Sequence, residues 1–345
     1  MNTRTQQNRK TVLADLGLQG GGAHGAFTWG VLDRLLEEPW LKYDGISGTS
    51  AGAMNAAVMI DGYAAGGPDG ARQALERFWR AVSDAAQLSP IRRGPLEVLT
   101  GSWTLDYSPM FVAMDLASRM VSPYDTNPFG TNPLEKLLEQ CIDFERLKIA
   151  PIKLFVTATN VRTGRGRVFR NADLSTHALL ASACLPTMFQ AVEIDGEAYW
   201  DGGYSGNPSL APLIRECASH DTIIVQINPI ERPGTPRSAR EIHNRLNEIA
   251  FNGVLIKELR AAALLRQVAD PGSGEGRLLA KMRLHRIASD VMLDLGYSSK
   301  LLAEWDFFLM LKEAGRAAAS QFLEQHGTDL GVRSTLDIDA YLEGI

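Results

Sequence analysis

Short apolar runs alternate with segments of helical periodicity between residues 12 and 227. The first run covers residues 12–18, and after a glycine-rich loop the apolar side chains recur at helical spacing, at Phe27, Val31, Leu32, Leu35 and Leu36. Two further runs cover residues 152–159 and 222–227. Strands buried on both faces of a parallel sheet carry such near-continuous apolar runs, so the pattern predicts an α/β fold with a mainly parallel central sheet.

Smaller elements fit between these strands. The pattern predicts a short strand at residues 168–169 and helices over residues 51–60, 71–80, 134–138 and 176–183. Asp195-Gly196 separates two short strands, 192–194 and 198–200, and such a pair is typical of a tight β-hairpin turn. The chain therefore predicts one mixed sheet with helices between its strands.

The pattern changes after residue 88 and again after residue 236. Between residues 89 and 133, six prolines alternate with apolar patches. Such a segment is either an irregular connection packed on the core or a lid over a binding site. The last part of the chain predicts helices, over about 239–268, 278–293 and 301–325. The apolar face of the first of them suits the protein core better than a lipid surface, because amphipathic helices usually pack on their own domain.

These changes divide the chain into three parts. Residues 1–10 form a polar, flexible tail, residues 11–235 form the main domain, and residues 236–345 form a helical C-terminal extension packed on it. Residues 89–133 would be an insertion in the main domain.

Composition and charge narrow the class of protein. Of the 345 residues, 45% are hydrophobic and 22% are charged, which is ordinary for a globular protein. The formal net charge of −5 offers no basic stripe to nucleic acid, so any membrane contact is expected to be local and apolar. Three scattered cysteines without C-x-x-C spacing indicate neither a disulfide framework nor a zinc site. Without a signal-peptide core or an apolar run of about 18 residues, we expect a cytoplasmic protein that contacts membranes peripherally at most.

A candidate for chemistry lies in Gly48-Thr49-Ser50-Ala51-Gly52, directly before the predicted helix at 51–60. A serine on a sharp strand-to-helix turn exposes its hydroxyl, and flanking glycines keep neighbouring atoms clear. The helix N-terminus also stabilises developing negative charge. Ser50 is therefore a candidate nucleophile, with a serine N-cap in a glycine-rich turn as the alternative.

The glycine loop at residues 20–25 admits two interpretations. It fits the dinucleotide fingerprint G-x-G-x-x-G, with Asp44 as the ribose-binding acid, although Asp44 does not close a strand as that acid should. Alternatively, the loop contributes to an oxyanion hole built from the backbone N–H groups of Gly20, Gly21, Gly22 and Ala51. Loops after neighbouring parallel strands face one crevice, so the second interpretation joins this loop to Ser50.

Three motifs follow one another along the chain: Gly20-Gly21-Gly22-Ala23-His24-Gly25, the pentapeptide around Ser50, and Asp201-Gly202-Gly203. In this order they resemble the patatin-like phospholipase family, whose signatures are G-G-G-x-R/K-G, G-x-S-x-G and D-G-G/A. Residues 181–189 also look like the small-residue, proline-containing stretch ahead of the family's aspartate. The resemblance covers roughly residues 12–230 and implies a patatin-like three-layer α/β/α fold, with 11–235 as the catalytic domain.

The resemblance implies a Ser-Asp dyad in place of a triad, with Ser50 as nucleophile and Asp201 as its base. It implies an oxyanion hole lined by the glycine loop, and chemistry that needs neither metal nor cofactor. His24 stands where the family usually has Arg or Lys, so the role of that cation is altered or depends on pH. Because an ordinary aspartate, with a pKa of about 4, is a weak base, Asp201 must be desolvated and face the serine. Without the other motifs, Asp201 would be better explained as an ordinary residue of an Asp-Gly turn.

The activity implied is that of a serine acyl hydrolase of phospholipase A or lysophospholipase type, acting on a lipid or other acyl ester through an acyl-enzyme. Thioesters, polyester oligomers and acyl transfer stay open, as do a non-catalytic lipid-binding protein and a dinucleotide-binding protein. The oligomeric state also stays open. His220, His243 and His285 follow Asp201 in the order of a conventional triad, and we expect all three on solvated surfaces.

Overall fold

In a computed structural model, the chain folds around one eight-stranded sheet. The structure describes residues 9–87, 89–118, 120–272 and 274–342, so most of the predicted N-terminal tail, residues 1–8, lies outside the described residues. The strands are Val12–Leu18 (β1), Leu41–Gly48 (β2), Lys153–Asn160 (β3), Gly166–Arg170 (β4), Val192–Ile194 (β5), Glu197–Asp201 (β6), Asp221–Val225 (β7) and Arg283–Ile287 (β8).

The strands lie in the order β5-β6-β3-β2-β1-β7-β8, with β4 also paired to β3. The five neighbouring strands β3, β2, β1, β7 and β8 pair in parallel. The strands β4, β5 and β6 form antiparallel pairs. The predicted mainly parallel sheet is therefore confirmed. The predicted hairpin is confirmed as well: it turns at Asp195-Gly196, where φ is 55° and 76°, the left-handed values that a tight hairpin turn requires.

Twelve α-helices lie within the described part of the chain. They are Gly25–Leu35 (α1), Ala51–Ala85 (α2), Pro95–Thr100 (α3), Pro109–Ser118 (α4), Pro123–Thr126 (α5), Pro133–Cys141 (α6), Phe144–Lys148 (α7), Thr176–Ser182 (α8), Ala211–Glu216 (α9), Ala239–Val268 (α10), Gly274–Lys281 (α11) and Trp305–His326 (α12). The helix α2 joins the two helices predicted at 51–60 and 71–80, and non-helical backbone at Gly66 and Gly67 marks a break between its halves.

Helices cover both faces of the sheet. Along β7, Ile223 and Val225 belong to a larger core that also contains side chains of α1, α2, α8 and α12. Between them, Ile224 belongs to a smaller core that contains side chains of α9, α10 and α11. Because successive side chains of a strand point to opposite faces, this alternation confirms the three-layer α/β/α arrangement, with C-terminal helices in both outer layers.

Four of the six prolines of residues 89–133 begin helices, and the interpretation of this segment as irregular is corrected in that respect. Pro95, Pro109, Pro123 and Pro133 are each the first residue of a helix, where the missing N–H is not needed. The side chains of Ser122 and Asn132 cap two of these helices. A capping residue directly before a proline was the signal that the sequence analysis missed.

The helix expected over 278–293 is wrong. The helix α11 ends at Lys281, and β8 then pairs in parallel with β7 from Arg283 to Ile287. This strand carries two arginines and a histidine among its five residues, so it gives little apolar signal. A strand from beyond residue 235 thus completes the central sheet. The other two C-terminal helices are confirmed as α10 and α12.

Candidate active site

Ser50 lies between the last residue of β2 and the first residue of α2. Its φ of 53° and ψ of −124° are strained for a residue with a Cβ, at a cost of about 1–3 kcal/mol. The surroundings hold this conformation: the Ser50 amide donates to Ser182 Oγ at 2.9 Å, and its carbonyl accepts from the Met54 amide at 3.0 Å. The expected sharp strand-to-helix turn is present.

The two glycines of this turn are required by close packing. A Cβ on Gly48 would lie 2.7 Å from the Ala53 amide nitrogen, and a Cβ on Gly52 would overlap the Leu18 carbonyl oxygen. Gly52 thus brings the start of α2 against the end of β1, where the glycine loop begins. The pentapeptide and the glycine loop are therefore packed directly on each other.

Asp201 is the last residue of β6, and its backbone is tied on both sides. Its amide donates to the Cys184 carbonyl at 2.8 Å, and its carbonyl accepts from the Thr159 hydroxyl at 2.8 Å. Its Oδ1 accepts from the Gly203 amide at 2.7 Å, across the turn formed by Asp201-Gly202-Gly203. A Cβ on Gly202 would overlap the Thr157 carbonyl oxygen, so this position also requires glycine.

The side chains of Ser50 and Asp201 interact in one cavity. Burial raises the pKa of Asp201 to about 7, although the Gly203 amide, the Ser50 side chain and the charge of Lys300 all lower it. A carboxyl with a pKa near ambient pH is a far better proton acceptor than an ordinary aspartate. The environment that the sequence analysis required for Asp201, desolvated and facing the serine, is present.

The glycine loop lies beside Ser50, but the prediction that the Gly20 amide contributes to the oxyanion hole is corrected. A Cβ on Gly20 would be 2.8 Å from Ser50 Cβ, but the Gly20 amide donates to Asn207 Oδ1 at 2.7 Å. That amide is occupied, and Gly20 does not line the cavity. Gly21, Gly22 and Ala51 do line it, so an oxyanion hole would use their amides. Gly22 has a φ of 58°, which glycine adopts without strain.

His24 is buried beneath this loop. Its Nε2 lies 2.8 Å from Ser299 Oγ, and burial, together with the nearby charges of Lys300 and Arg232, holds its pKa well below the usual range. His24 is therefore neutral near pH 7 and does not supply the positive charge of an arginine or lysine. Gly25, the end of the motif, brings α1 against the start of α2, since a Cβ there would lie 2.7 Å from Ala51 Cβ.

The cavity has a volume of about 370 Å³ and mainly apolar walls. This is within the range of about 300–1,000 Å³ that is usual for small-ligand sites. The walls come from α2, α6, the loop after α8 and the C-terminal region, and include Met54, Phe78, Trp79, Leu134, Leu185 and Phe308. Polar groups are few and include Ser50, Asp201 and Lys300. Such a cavity can hold an apolar chain with its polar end at the serine.

Asp44 does not take part in this site. It forms an ion pair with Lys153, the first residue of β3, at 3.1 Å. Asp44 therefore lies toward the amino ends of the strands, whereas the glycine loop follows the carboxyl end of β1. The dinucleotide interpretation needed this acid beside the loop, and the geometry does not support it.

The three histidines considered for a triad, His220, His243 and His285, do not line the cavity. His243 is exposed and His220 is half-buried. The expectation of a solvated surface is wrong for His285, which is fully buried in β8, with Nε2 3.0 Å from Asp221 Oδ1 and Nδ1 3.0 Å from Thr335 Oγ1. The side chain of His285 supports the fold and is not placed for a triad with Ser50.

Several supporting residues were not found from the sequence. Ser182, Asn207 and Lys300 contact the site from segments distant in the chain. Their residue types are common in loops, and no local motif distinguishes them. Only the packing of the folded chain brings them to the serine.

Comparison with known protein families gives a match over most of this region. The family model for patatin-like phospholipases matches residues 16–214. The chain belongs to the patatin-like phospholipase family. The matched range contains the glycine loop, Ser50 and Asp201, so the resemblance drawn from the three motifs is confirmed. At the level of the family, this patatin-like protein is a lipid acyl hydrolase.

Matches among solved structures include VipD and the type III effector ExoU. VipD from Legionella pneumophila is 16% identical to this chain, with a TM-score of 0.41. The match covers 91% of this chain and 67% of VipD. The type III effector ExoU is 17% identical to this chain, with a TM-score of 0.31. The match covers 92% of this chain and 53% of ExoU. A heterodimeric ExoU–SpcU complex from Pseudomonas aeruginosa gives 17% identity, coverages of 93% and 61%, and a TM-score of 0.31. This patatin-like protein thus spans about half to two thirds of those chains.

A comparison with curated protein sequences gave no match. Among the described residues, no helix combines the length and the apolar character needed to cross a membrane.

Proposed function

We propose that this patatin-like protein is a serine acyl hydrolase of phospholipase A or lysophospholipase type, which cleaves lipid acyl esters through a Ser50–Asp201 dyad. The observation that carries the proposal is the interaction of Ser50, which lies in a strained turn, with the buried side chain of Asp201 inside an apolar cavity. The pKa of this aspartate is raised to about 7. An ester carbonyl at Ser50 would leave its acyl chain among the apolar walls.

The reaction would proceed in two halves. Asp201 takes the proton of the Ser50 hydroxyl while Oγ attacks the ester carbonyl, and the amides of Gly21, Gly22 and Ala51 stabilise the oxyanion. The bond to the alcohol breaks, and protonated Asp201 gives its proton to the departing oxygen. Asp201 then takes a proton from water as the water oxygen attacks the acyl-enzyme carbonyl. The bond from the acyl carbon to Ser50 Oγ breaks, Asp201 returns the proton to Oγ, and the fatty acid leaves.

We further propose that the protein is cytoplasmic and contacts membranes peripherally through residues 95–118 and 120–129, here called the apolar segment. Among the described residues, half of the large apolar side chains that are exposed fall in this segment, and they include Leu96, Leu99, Met110, Leu116, Met120 and Phe129. Pro133 and Leu134, which follow it closely, line the cavity. A lipid surface at this segment would therefore lie next to the proposed acyl site. The segment would then also act as a lid over the binding site, which is one of the two interpretations that the sequence of residues 89–133 allows.

The dyad is tested by labelling with a fluorophosphonate probe, read by intact mass, and by turnover of a short-chain aryl ester. Wild type and the control Ser102→Ala, which changes an exposed serine, should each gain one adduct and hydrolyse the ester. Ser50→Ala should do neither, and Asp201→Asn should be severely slowed. If folded wild type neither labels nor turns over ester, with or without phospholipid vesicles, the hydrolase proposal is wrong and a non-catalytic lipid-binding role takes its place.

A further inference from the structure

A half-buried lysine from the C-terminal region has no part in the reaction described above. Lys300 lies in the short 3₁₀ turn Ser298–Leu301, between β8 and α12. Its side chain lines the same cavity as Ser50 and Asp201. Its Nζ donates to Asn228 Oδ1 and to Asn247 Oδ1, both at 2.8 Å. Two neutral amides, with the Phe251 ring centroid 5.4 Å from Nζ, are a weak complement for a half-buried ammonium group, so its position calls for a reason beyond packing.

The turn that carries Lys300 is fastened to the glycine loop at three points. The Lys300 carbonyl packs so closely on Gly22 that a Cβ there would overlap it. Asn228, which accepts from Lys300, donates through Nδ2 to the Gly20 carbonyl at 2.9 Å. The neighbouring Ser299 is hydrogen-bonded to His24 at 2.8 Å. The position of Lys300 is therefore coupled to the amides that would receive the oxyanion.

Lys300 is also close enough to Asp201 for each side chain to shift the pKa of the other. The ammonium charge lowers the pKa of Asp201. Burial lowers the pKa of Lys300 to about 8, with Arg232 acting in the same direction and with Glu248 and Asp201 opposing. Lys300 is thus a cation near neutral pH and loses its charge in mildly alkaline solution.

Other titratable groups also face this pair. Arg232 forms an ion pair with Glu248 at 2.7 Å. His24 is neutral, as described above. On the Asp201 side, burial raises the pKa of Tyr204 and of Cys184 to about 12 in each case, so both are neutral. Lys300 therefore loses its positive charge as the pH rises past 8, while His24, Tyr204 and Cys184 stay neutral.

We propose that Lys300 is a positioning residue of this active site: it holds the glycine loop through Asn228 and supplies beside Asp201 the positive charge that neutral His24 does not. The inference rests on the proposed hydrolase function. The charge favours ionised Asp201, the form that accepts the serine proton, and it lies beside the loop at which the oxyanion forms. When Lys300 loses its proton, both contributions are lost.

The expected consequence is a narrow, bell-shaped dependence of kcat/KM on pH, with an acid limb from Asp201 and an alkaline limb from Lys300. The test measures aryl-ester kcat/KM between about pH 5 and pH 10. Lys300→Arg keeps a cation at all these pH values, so its alkaline limb should move up by at least about one pH unit. Lys300→Met should lose about tenfold or more at pH 7, with its acid limb shifted to higher pH. The control Lys42→Met, at the opposite end of β2 from Ser50, should match wild type.

A second variant leaves Lys300 itself unchanged and covers the case in which its substitutions do not fold. Asn247→Asp puts a carboxylate beside Nζ, which should raise the pKa of Lys300 and move the alkaline limb upward. A lysine with a purely structural role would not produce that shift. The proposal is overturned if wild type is active, Ser50→Ala is inactive, and the alkaline limb stays in place in Lys300→Arg or, where that variant does not fold, in Asn247→Asp. Wild type without labelling or turnover would instead overturn the hydrolase function, and this inference with it.

Discussion

The amide of Gly203 donates a hydrogen bond to Asp201 Oδ1 at 2.7 Å, inside a turn that is almost completely shielded from water. The hydrogen bond favours the ionised carboxylate, but burial favours the neutral acid more strongly and raises the pKa of Asp201 to about 7. A residue held in this way is useful as a base and unfavourable for folding, and the two effects can be measured separately.

Asp201→Asn should lower aryl-ester turnover at pH 8 by at least about 100-fold, because the base is lost. The same change should stabilise the fold at that pH. The folded-state pKa lies above the unfolded value of about 4, so the wild type loses stability as pH rises from about 4 through 7. Urea unfolding should show the Asp201→Asn variant more stable than wild type by about 1–3 kcal/mol at pH 8 and nearly equal to it at pH 4. A stability difference that is the same at both pH values would contradict the raised pKa.

Gly203 also determines how α10 meets the active site. A Cβ on Gly203 would overlap the ring of Phe251, which lines the cavity from α10. Gly203→Ala should therefore destabilise the protein by about 1–3 kcal/mol and lower kcat, because the turn and the ring must separate. Phe251→Leu should relieve part of this cost, so the double variant should be less impaired than the sum of the two single changes.

Gly202 provides the matched control for this cycle. A Cβ on Gly202 would overlap the Thr157 carbonyl oxygen, which belongs to the backbone of β3 and cannot be shortened. Phe251→Leu should give no relief to Gly202→Ala. Equal relief of both alanine variants would show that Phe251 acts through general loosening of α10 and not through contact with Gly203.

The parts of this site that could be predicted from the sequence are those that a short, contiguous motif specifies. Ser50 and Asp201 each lie in a short motif beside a recognisable strand or helix, and the family match covers both motifs. The glycine loop was placed correctly, but the sequence could not reveal that the Gly20 amide is occupied by Asn207, because that residue arrives from a distant segment. The same limit applies to Lys300, which no local pattern connects to the serine.

The errors in the fold have a similar origin. The strand β8 has polar residues because its side chains form specific pairs, such as His285 with Asp221, in place of purely apolar packing. A pattern of hydrophobicity cannot detect a strand that is stabilised in this way. The pattern of residues 89–133 predicts an irregular connection or a lid, because the signal that marks Pro123 and Pro133 as helix starts is a single capping residue before each.

Asp221 at the start of β7 allows a second stability prediction. It accepts hydrogen bonds from Arg283 and His285 and from the Gly331 amide, and these partners outweigh burial and lower its pKa to about 2. Because the folded-state pKa is depressed, this contribution is present above the unfolded pKa of about 4 and is lost as pH falls toward 2. Asp221→Asn should cost about 3 kcal/mol at pH 7, since it removes the buried carboxylate with which the half-buried Arg283 pairs.

Urea unfolding at pH 7 and at about pH 3 would check this prediction, because the gap between Asp221→Asn and wild type should narrow in acid. Asp294→Asn, which changes an exposed aspartate, is the control and should unfold like wild type at pH 7. A gap that is unchanged in acid would mean that the carboxylate charge is not the source of the stability.

Leu99 and Phe129, in the apolar segment, are 85% and 90% exposed, and the membrane proposal makes them points of contact with lipid. Burying one such side chain in an apolar phase contributes about 1.5–3 kcal/mol, so Leu99→Glu and Phe129→Glu should each weaken binding to neutral phosphatidylcholine vesicles by about tenfold or more. Turnover of a short-chain ester in solution should be unchanged, because neither side chain lines the cavity. Val332→Glu changes a side chain of similar exposure outside the segment and should bind vesicles like wild type. Sedimentation with vesicles measures the binding, and added salt should not weaken it, since the contact is apolar. If both variants in the segment sediment like wild type, this segment is not the membrane contact.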